Sequence, residues 1–113
     1  MMTNLANQSC QHDTKGEGIL TPNEQQEYLQ ALDAGWEIIT IEKQEMLFRQ
    51  FNFKCYIDVL AFVAKVGEIA ETHNHHPEML VKWSECHVSF HTHSAGGITL
   101  NDIICAHLLE KIA

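Results

Sequence analysis

Hydrophobic and polar positions change their spacing several times along the chain, and each change marks a predicted element. The clearest helical pattern runs from Tyr56 to about Thr72, where apolar residues recur at intervals of three and four. Because Pro77 disfavours helical geometry at His76, we expect this helix to stop near His73. The apolar positions that define it are Val59, Phe62, Val63, Val66, Ile69 and Ala70.

Two further helices are predicted from their starting signals. In "TPNEQQEYLQAL", Thr21 can cap a helix, Pro22 suits its first position, and Glu24 stands three residues on, as in a capping box. Near the end of the chain, Thr99 opens an apolar run, with Asp102 three residues on as a partial capping box.

Four segments have the length and the β-branched and aromatic content of strands. They are "WEIITIE" (36–42), "EMLFRQFNF" (45–53), "EMLVKW" (78–83) and "CHVSFHTH" (86–93). The resulting order, α-β-β-α-β-β-α, predicts an α+β fold: an antiparallel four-stranded sheet with three helices packed on one face. In the last strand, Val88 and Phe90 are expected on one face, and His87, Ser89, His91 and His93 on the other.

Length and polarity set the domain organisation. The 113 residues suffice for one domain with one core. Residues 1–20 are polar without periodicity and predict a mobile tail, so the single domain is expected over 21–113. There is no long apolar run and no secretory signal pattern, which indicates a cytoplasmic protein without a membrane partner. Four widely spaced cysteines are interpreted as reduced thiols: Cys10, Cys55, Cys86 and Cys105.

The charge balance bears on the partners of the protein. The formal net charge is −8, and the seven lysine and arginine residues are scattered along the chain. A nucleic-acid backbone would be repelled unless basic residues were clustered. Direct nucleic-acid binding is therefore not expected.

The candidate chemistry lies in "ETHNHHPEM", residues 71–79. If the last strand pairs antiparallel with "EMLVKW", His93 would come close to His75 and His76, and imidazoles at one rim suit proton transfer near neutral pH. Three interpretations stay open: acid–base chemistry, a zinc or copper site, and a plain surface cluster. Against the metal, spacings such as HExxH are absent, and the adjacent His75 and His76 do not easily chelate one ion.

At these residues the chain resembles the pterin-4a-carbinolamine dehydratases. The resemblance lies in "ETHNHHP", followed by Trp83, His93 and Asp102, and extends to "GWEII", "FRQFNFK" and "GGITLNDI". It implies the fold already predicted, and an enzyme, a hydro-lyase, that converts 4a-hydroxytetrahydropterin to quinonoid dihydropterin and water in tetrahydropterin recycling. It also implies no metal and no organic cofactor, a pterin as the small-molecule partner, and a homodimer or homotetramer.

The resemblance implies catalytic roles for His75, His76 and His93, with proton transfer assigned to His75 and His93 and substrate positioning to His76. The residues that it places in binding or supporting roles are Glu71, Asn74, His91, Thr92, Ser94 and Asp102. Asn74 stands where many relatives carry aspartate, and Ser94 where an acidic residue is frequent.

Simpler interpretations stand beside these roles. Asp102 can instead have the purely structural role of capping the last helix together with Thr99, and Glu71 can be a solvated residue of the last turn of its helix. Two alternative functions are also open: a non-catalytic interaction or dimerisation partner of the same fold, and action on another pterin. The remaining histidines are interpreted as surface or interface residues: His12, His73, His87 and His107.

Overall fold

The computed structural model describes residues 8–10, 12 and 18–113. Within this part of the chain, helices and strands follow the predicted order α-β-β-α-β-β-α, which confirms the α+β fold. The helices are α1 (Pro22–Ala31), α2 (Tyr56–His73) and α3 (Leu100–Glu110). The strands are β1 (Glu37–Ile41), β2 (Gln44–Asn52), β3 (Glu78–Val81) and β4 (Glu85–Phe90).

The four strands form one antiparallel sheet in the order β1-β2-β4-β3. A two-residue turn joins β1 to β2, and both of its residues, Glu42 and Lys43, have positive φ angles of 51° and 67°. Such angles belong to the turn type that matches the twist of a hairpin. Strand β4 lies between β2 and β3, so β3 forms one edge of the sheet.

The core fills the space between one face of the sheet and the three helices. Alternate residues of β4 are buried and the intervening ones are half-buried, because successive side chains of a strand point to opposite faces. This confirms the predicted inward direction of Val88 and Phe90. The buried hydrophobic residues of the central strands and the two longer helices are Leu47, Phe51, Cys86, Val88, Phe90, Val59, Phe62, Val66, Ala70, Ile103, Ile104, Cys105, Ala106 and Leu109.

The predicted ends of β3 and β4 were wrong. Strand β3 ends at Val81 rather than Trp83, and β4 ends at Phe90 rather than His93. The cause in β4 is a tight turn in which Thr92 pairs with Gly97, and its N–H donates to the Gly97 carbonyl at 2.9 Å. The chain therefore leaves the sheet before His91, which is buried instead of lying beside His87 on the outer face.

The packed region begins slightly before the predicted domain boundary. The N–H of Leu20 donates to the carbonyl of Ile98 at 2.9 Å, and the Leu20 side chain is buried in the core. Ile19 forms a bridge with Thr99. The prediction of a mobile tail over residues 1–20 falls largely on residues outside the described ones and stays a prediction. Among the helices of the described residues, none is long and apolar enough to cross a bilayer.

Candidate functional site

The end of helix α2 determines where His75 and His76 go. Asn74 ends the helix in the left-handed conformation, with φ 50° and ψ 44°, which asparagine tolerates better than most residues. The N–H of His75 then donates to the carbonyl of Ala70 at 3.0 Å. This reversal directs His75 into the protein, where it is buried, and leaves His76 exposed. The two adjacent rings therefore occupy different environments.

The His75 side chain is held by two contacts. Its Nε2 lies 2.6 Å from Oδ1 of Asp102, and its ring stacks on Phe90 with a centroid separation of 6.1 Å and an interplanar angle of 6°. Because a carboxylate only accepts hydrogen bonds, Nε2 carries the proton and donates it. In the neutral ring, the lone pair is then on Nδ1.

Asp102 is fully buried, at 0% exposure, and its second oxygen is also hydrogen-bonded. Oδ2 accepts from the N–H of Thr99 at 2.8 Å and from the hydroxyl of Thr92 at 3.0 Å. These partners satisfy a carboxylate that would otherwise be costly to bury. The interpretation of Asp102 as the capping partner of Thr99 is confirmed. It is incomplete, because the same carboxylate also accepts a hydrogen bond from His75, which lies 27 positions earlier in the sequence.

His76 has its own carboxylate partner, in a very different setting. Its Nε2 donates to Oε2 of Glu71 at 2.5 Å. The side chains are 53% and 80% exposed, respectively, so water screens this pair far more than the buried one. The Glu71 contact orients the His76 ring and contributes little to stability.

The buried and exposed imidazoles line one pocket of about 410 Å³, within the size range of small-molecule sites. The rings of His91 and His93 meet edge to face in this region, with centroids 4.3 Å apart. Five of the lining residues are histidines, so proton donors and acceptors dominate the wall. The lining residues are His12, Asn74, His75, His76, His91, Thr92, His93 and Ser94.

The structure thus brings together most of the residues proposed from the sequence. The three proposed catalytic histidines share the pocket wall with Asn74, His91, Thr92 and Ser94. Asp102 lies beneath the wall, bonded to His75, and Glu71 holds His76 from outside it.

One lining residue was not singled out from the sequence. His12 was interpreted as a surface histidine and is exposed, but it also lines the pocket. Its Nε2–H donates to the carbonyl of His73 at 2.7 Å, and its ring centroid is 6.4 Å from that of His75. A polar segment without periodicity carries no signal for such a return, which depends on tertiary contacts.

His87 belongs to a different surface. It lies on the outer face of the sheet, with its Nε2 2.7 Å from Glu85 and its ring 5.7 Å from that of Phe48. The hollow there measures about 220 Å³, smaller than typical ligand sites. Across the described residues, no group of three or more histidine, cysteine or acidic side chains is arranged to hold a metal ion.

Comparison with known proteins identifies the family. A family model described as pterin 4 alpha carbinolamine dehydratase matches residues 19–112. The chain belongs to the pterin-4a-carbinolamine dehydratase family. The resemblance seen in the sequence is thereby confirmed, and the match includes every pocket residue except His12, which precedes it.

Relatives named provisionally as pterin-4-alpha-carbinolamine dehydratases support this membership. One from Legionella pneumophila (strain Lens) is 35% identical over 113 residues, covering 99% of this chain and 97% of the relative. Another, from Bdellovibrio bacteriovorus, is 41% identical over 98 residues, covering 83% of this chain and 78% of the relative.

Two solved structures share the fold of this pterin carbinolamine dehydratase family member. A transcriptional coactivator/pterin dehydratase from Brucella melitensis has a TM-score of 0.77 at 35% identity, covering 85% of this chain and 99% of that one. A pterin dehydratase-like protein described as a RuBisCO assembly factor in the alpha-carboxysome has a TM-score of 0.60 at 18% identity, covering 72% of this chain and 92% of that one. The second likeness concerns the fold alone.

Proposed function

We propose that the protein is a hydro-lyase that dehydrates 4a-hydroxytetrahydropterin to quinonoid dihydropterin, using histidines as general acid and base. Membership of the dehydratase family supports the reaction class. The observation that carries the mechanism is the buried His75–Asp102 pair beneath a pocket that His76 and His93 also line.

The reaction needs two proton transfers. The hydroxyl on C4a is a poor leaving group as hydroxide, so a protonated imidazole assists by turning it into water. The neighbouring ring nitrogen supplies the electrons that form the C=N bond, and its proton passes to a neutral imidazole. Each transfer of this kind contributes roughly 10²–10⁴-fold to the rate. No electrons are gained or lost overall, so the reaction requires no redox cofactor.

We assign the base to His75. When His75 accepts a proton, an imidazolium forms 2.6 Å from the buried carboxylate of Asp102, which stabilises the new positive charge. The same bond keeps the proton of the neutral ring on Nε2, so that Nδ1 is the accepting atom. Stacking on Phe90 holds the ring plane.

We assign the acid to His93. Its side chain is exposed, so it can recover a proton from solvent after each turnover. The buried ring of His91 packs against its edge and limits its orientation. His76, oriented by Glu71, is assigned to substrate positioning. The polar groups of Asn74, Thr92 and Ser94 complete the pocket wall as candidate contacts for a pterin.

The proposal includes a cytoplasmic setting, a role in tetrahydropterin recycling and assembly into a homodimer or homotetramer. The assembly is supported by the edge position of β3, where Leu80 and Val81 are 55% and 38% exposed. An edge strand with exposed apolar side chains favours pairing with another strand.

The test is the decay rate of enzymatically generated 4a-hydroxytetrahydropterin. The protein should accelerate it, and His75→Ala or His93→Ala should lower that acceleration at least about tenfold, the low end for a general acid or base. His87→Ala is the matched control: His87 is also paired with a glutamate, but on the outer face of the sheet, and its loss should leave the rate unchanged. Wild-type protein that gives no acceleration over buffer would refute the enzyme.

A second candidate function is an interaction role, because one related protein is described as both a transcriptional coactivator and a pterin dehydratase. A non-catalytic interaction partner of this fold would leave the decay rate at its buffer value while still forming a complex or dimer. The same assay therefore separates the enzyme from the interaction partner. Turnover of a different pterin, with none of 4a-hydroxytetrahydropterin, would instead support action on another pterin.

A further inference from the structure

Cys10 returns from the N-terminal part of the chain to helix α3. Its Sγ lies 3.4 Å from Sγ of Cys105, a residue 95 positions further on, and 3.8 Å from the carbonyl of Asn101. The backbone N–H of Cys10 donates to Nδ1 of His73 at 3.5 Å. Cys10 is half-buried and Cys105 fully buried. Two thiols that are distant in sequence are thus in contact.

We propose that Cys10 and Cys105 form a disulfide under oxidation by hydrogen peroxide, a modification site that ties Cys10 to helix α3, two residues before the pocket residue His12. The sulfur atoms need to approach only from 3.4 Å to the roughly 2.0 Å of an S–S bond, a shift within reach of side-chain rotation. The two other cysteines lack this arrangement: Cys55 is exposed, and Cys86 lies in the sheet core.

The environments of the two thiols indicate which of them reacts with the peroxide first. A hydrogen bond from Cys105 lowers the pKa of Cys10; burial opposes this effect, a protonated His75 adds to it, and Asp102 opposes it. Donating that bond and being buried raise the pKa of Cys105. Cys10 therefore ionises first and, being half-buried rather than enclosed, is the thiol that a peroxide meets.

The reaction balances in two steps. The Cys10 thiolate attacks one peroxide oxygen, the O–O bond breaks, and sulfenic acid forms while the departing hydroxide takes a proton to become water. The sulfur of Cys105 then attacks Cys10 sulfur, the S–O bond breaks, and a second water leaves with the Cys105 proton. The two thiols lose two electrons in total, and the peroxide gains them.

The consequence concerns the position of His12. His12, two residues beyond Cys10, lines the pocket and donates to the carbonyl of His73. A covalent bond to Cys105 ties Cys10 to helix α3 and thereby keeps His12 close to the pocket. It also closes a loop of about 95 residues in the unfolded chain, which favours the folded state.

The test uses the full chain with Cys55→Ser, which removes the exposed thiol able to link two molecules. Hydrogen peroxide is the oxidant, free thiols are blocked with N-ethylmaleimide under denaturing conditions, and the protein is cleaved before aspartate residues. Cleavage before Asp13, Asp33, Asp58 and Asp102 places every cysteine in a separate peptide. The expected product is the peptide 1–12 joined to the peptide 102–113, with a mass two hydrogens below the sum of the two free peptides. A thiol reductant should separate the two peptides.

A second readout is thermal stability. The oxidised protein should unfold at least about 5 °C higher than the reduced protein, with the difference abolished by reductant. Cys10→Ser and Cys105→Ala should each remove the shift. A major product with blocked or overoxidised Cys10, with Cys10 joined to Cys86, or with chains joined to each other would overturn the proposal. Neither readout depends on pterin turnover, so this inference and the proposed dehydratase fail separately.

Discussion

Replacing Asp102 with asparagine separates the two tasks of this buried carboxylate. Oδ2 accepts from the backbone N–H of Thr99 and the hydroxyl of Thr92, whereas Oδ1 accepts from His75. An asparagine has one acceptor oxygen and one donor NH2. Since the Thr99 N–H can only donate, the amide oxygen should face Thr99 and the NH2 should face His75. To accept from it, His75 must move its proton from Nε2 to Nδ1.

The magnitude follows from the bond that is lost. A hydrogen bond to a charged group is worth about 1.5–3 kcal/mol, and the amide leaves no negative charge to stabilise a protonated His75. If that bond acts in the transition state, kcat should fall roughly 10- to 100-fold. The cap is retained, so the free energy of unfolding should fall by only about 1–2 kcal/mol.

Three measurements check this reasoning: kcat on 4a-hydroxytetrahydropterin, the free energy of unfolding in urea, and the His75 tautomer by ¹⁵N NMR. Thr99→Val is the matched control, because it removes the Thr99 hydroxyl near Asp102 and keeps the backbone donor and the His75 bond. The control should lose stability without losing kcat. An Asp102→Asn protein with wild-type kcat and a reversed His75 tautomer would show that the pair does not serve proton transfer.

Two further predictions concern stability. In the turn Glu42–Lys43, two non-glycine residues have positive φ angles, which cost free energy. The double variant Glu42→Asn with Lys43→Gly should therefore raise the urea midpoint of unfolding, a gain of about 1 kcal/mol, whereas the control Thr40→Gly in the adjoining strand should lower it. An unchanged midpoint in the double variant would show that the turn is not strained. Burial raises the pKa of Cys86. Above pH ~8.5 the thiol ionises in the unfolded chain but stays protonated in the folded protein, so the free energy of unfolding falls as the pH rises. In urea titrations, Cys86→Ala should reduce this alkaline loss of stability by up to about 1.4 kcal/mol per pH unit. Cys55→Ala, at an exposed site, is the control. If the free energy of unfolding declines equally steeply with pH in Cys86→Ala and in wild type, the prediction is wrong.

Local signals in the sequence predicted the elements well where the physics is local. The reciprocal capping box of Thr21 and Glu24 is present, with distances of 2.9 and 3.2 Å. Helix α2 ends at His73, as Pro77 indicated, because the constraint acts on the residues next to the proline. The end of β4 was misjudged because the pairing of Thr92 with Gly97 competes with strand continuation, and alternation of side chains does not reveal that competition.

The sequence by itself determined the order of elements, the inward face of β4 and the identity of the histidines beside Pro77, since each rests on periodicity or on neighbours along the chain. The tertiary structure alone decided that β4 pairs with both β2 and β3, that Asp102 bonds His75, that Cys10 contacts Cys105 and that His12 lines the pocket. These contacts join residues far apart in the chain. They exist because packing the helices on one sheet face brings the end of α2, the turn after β4 and the start of α3 together.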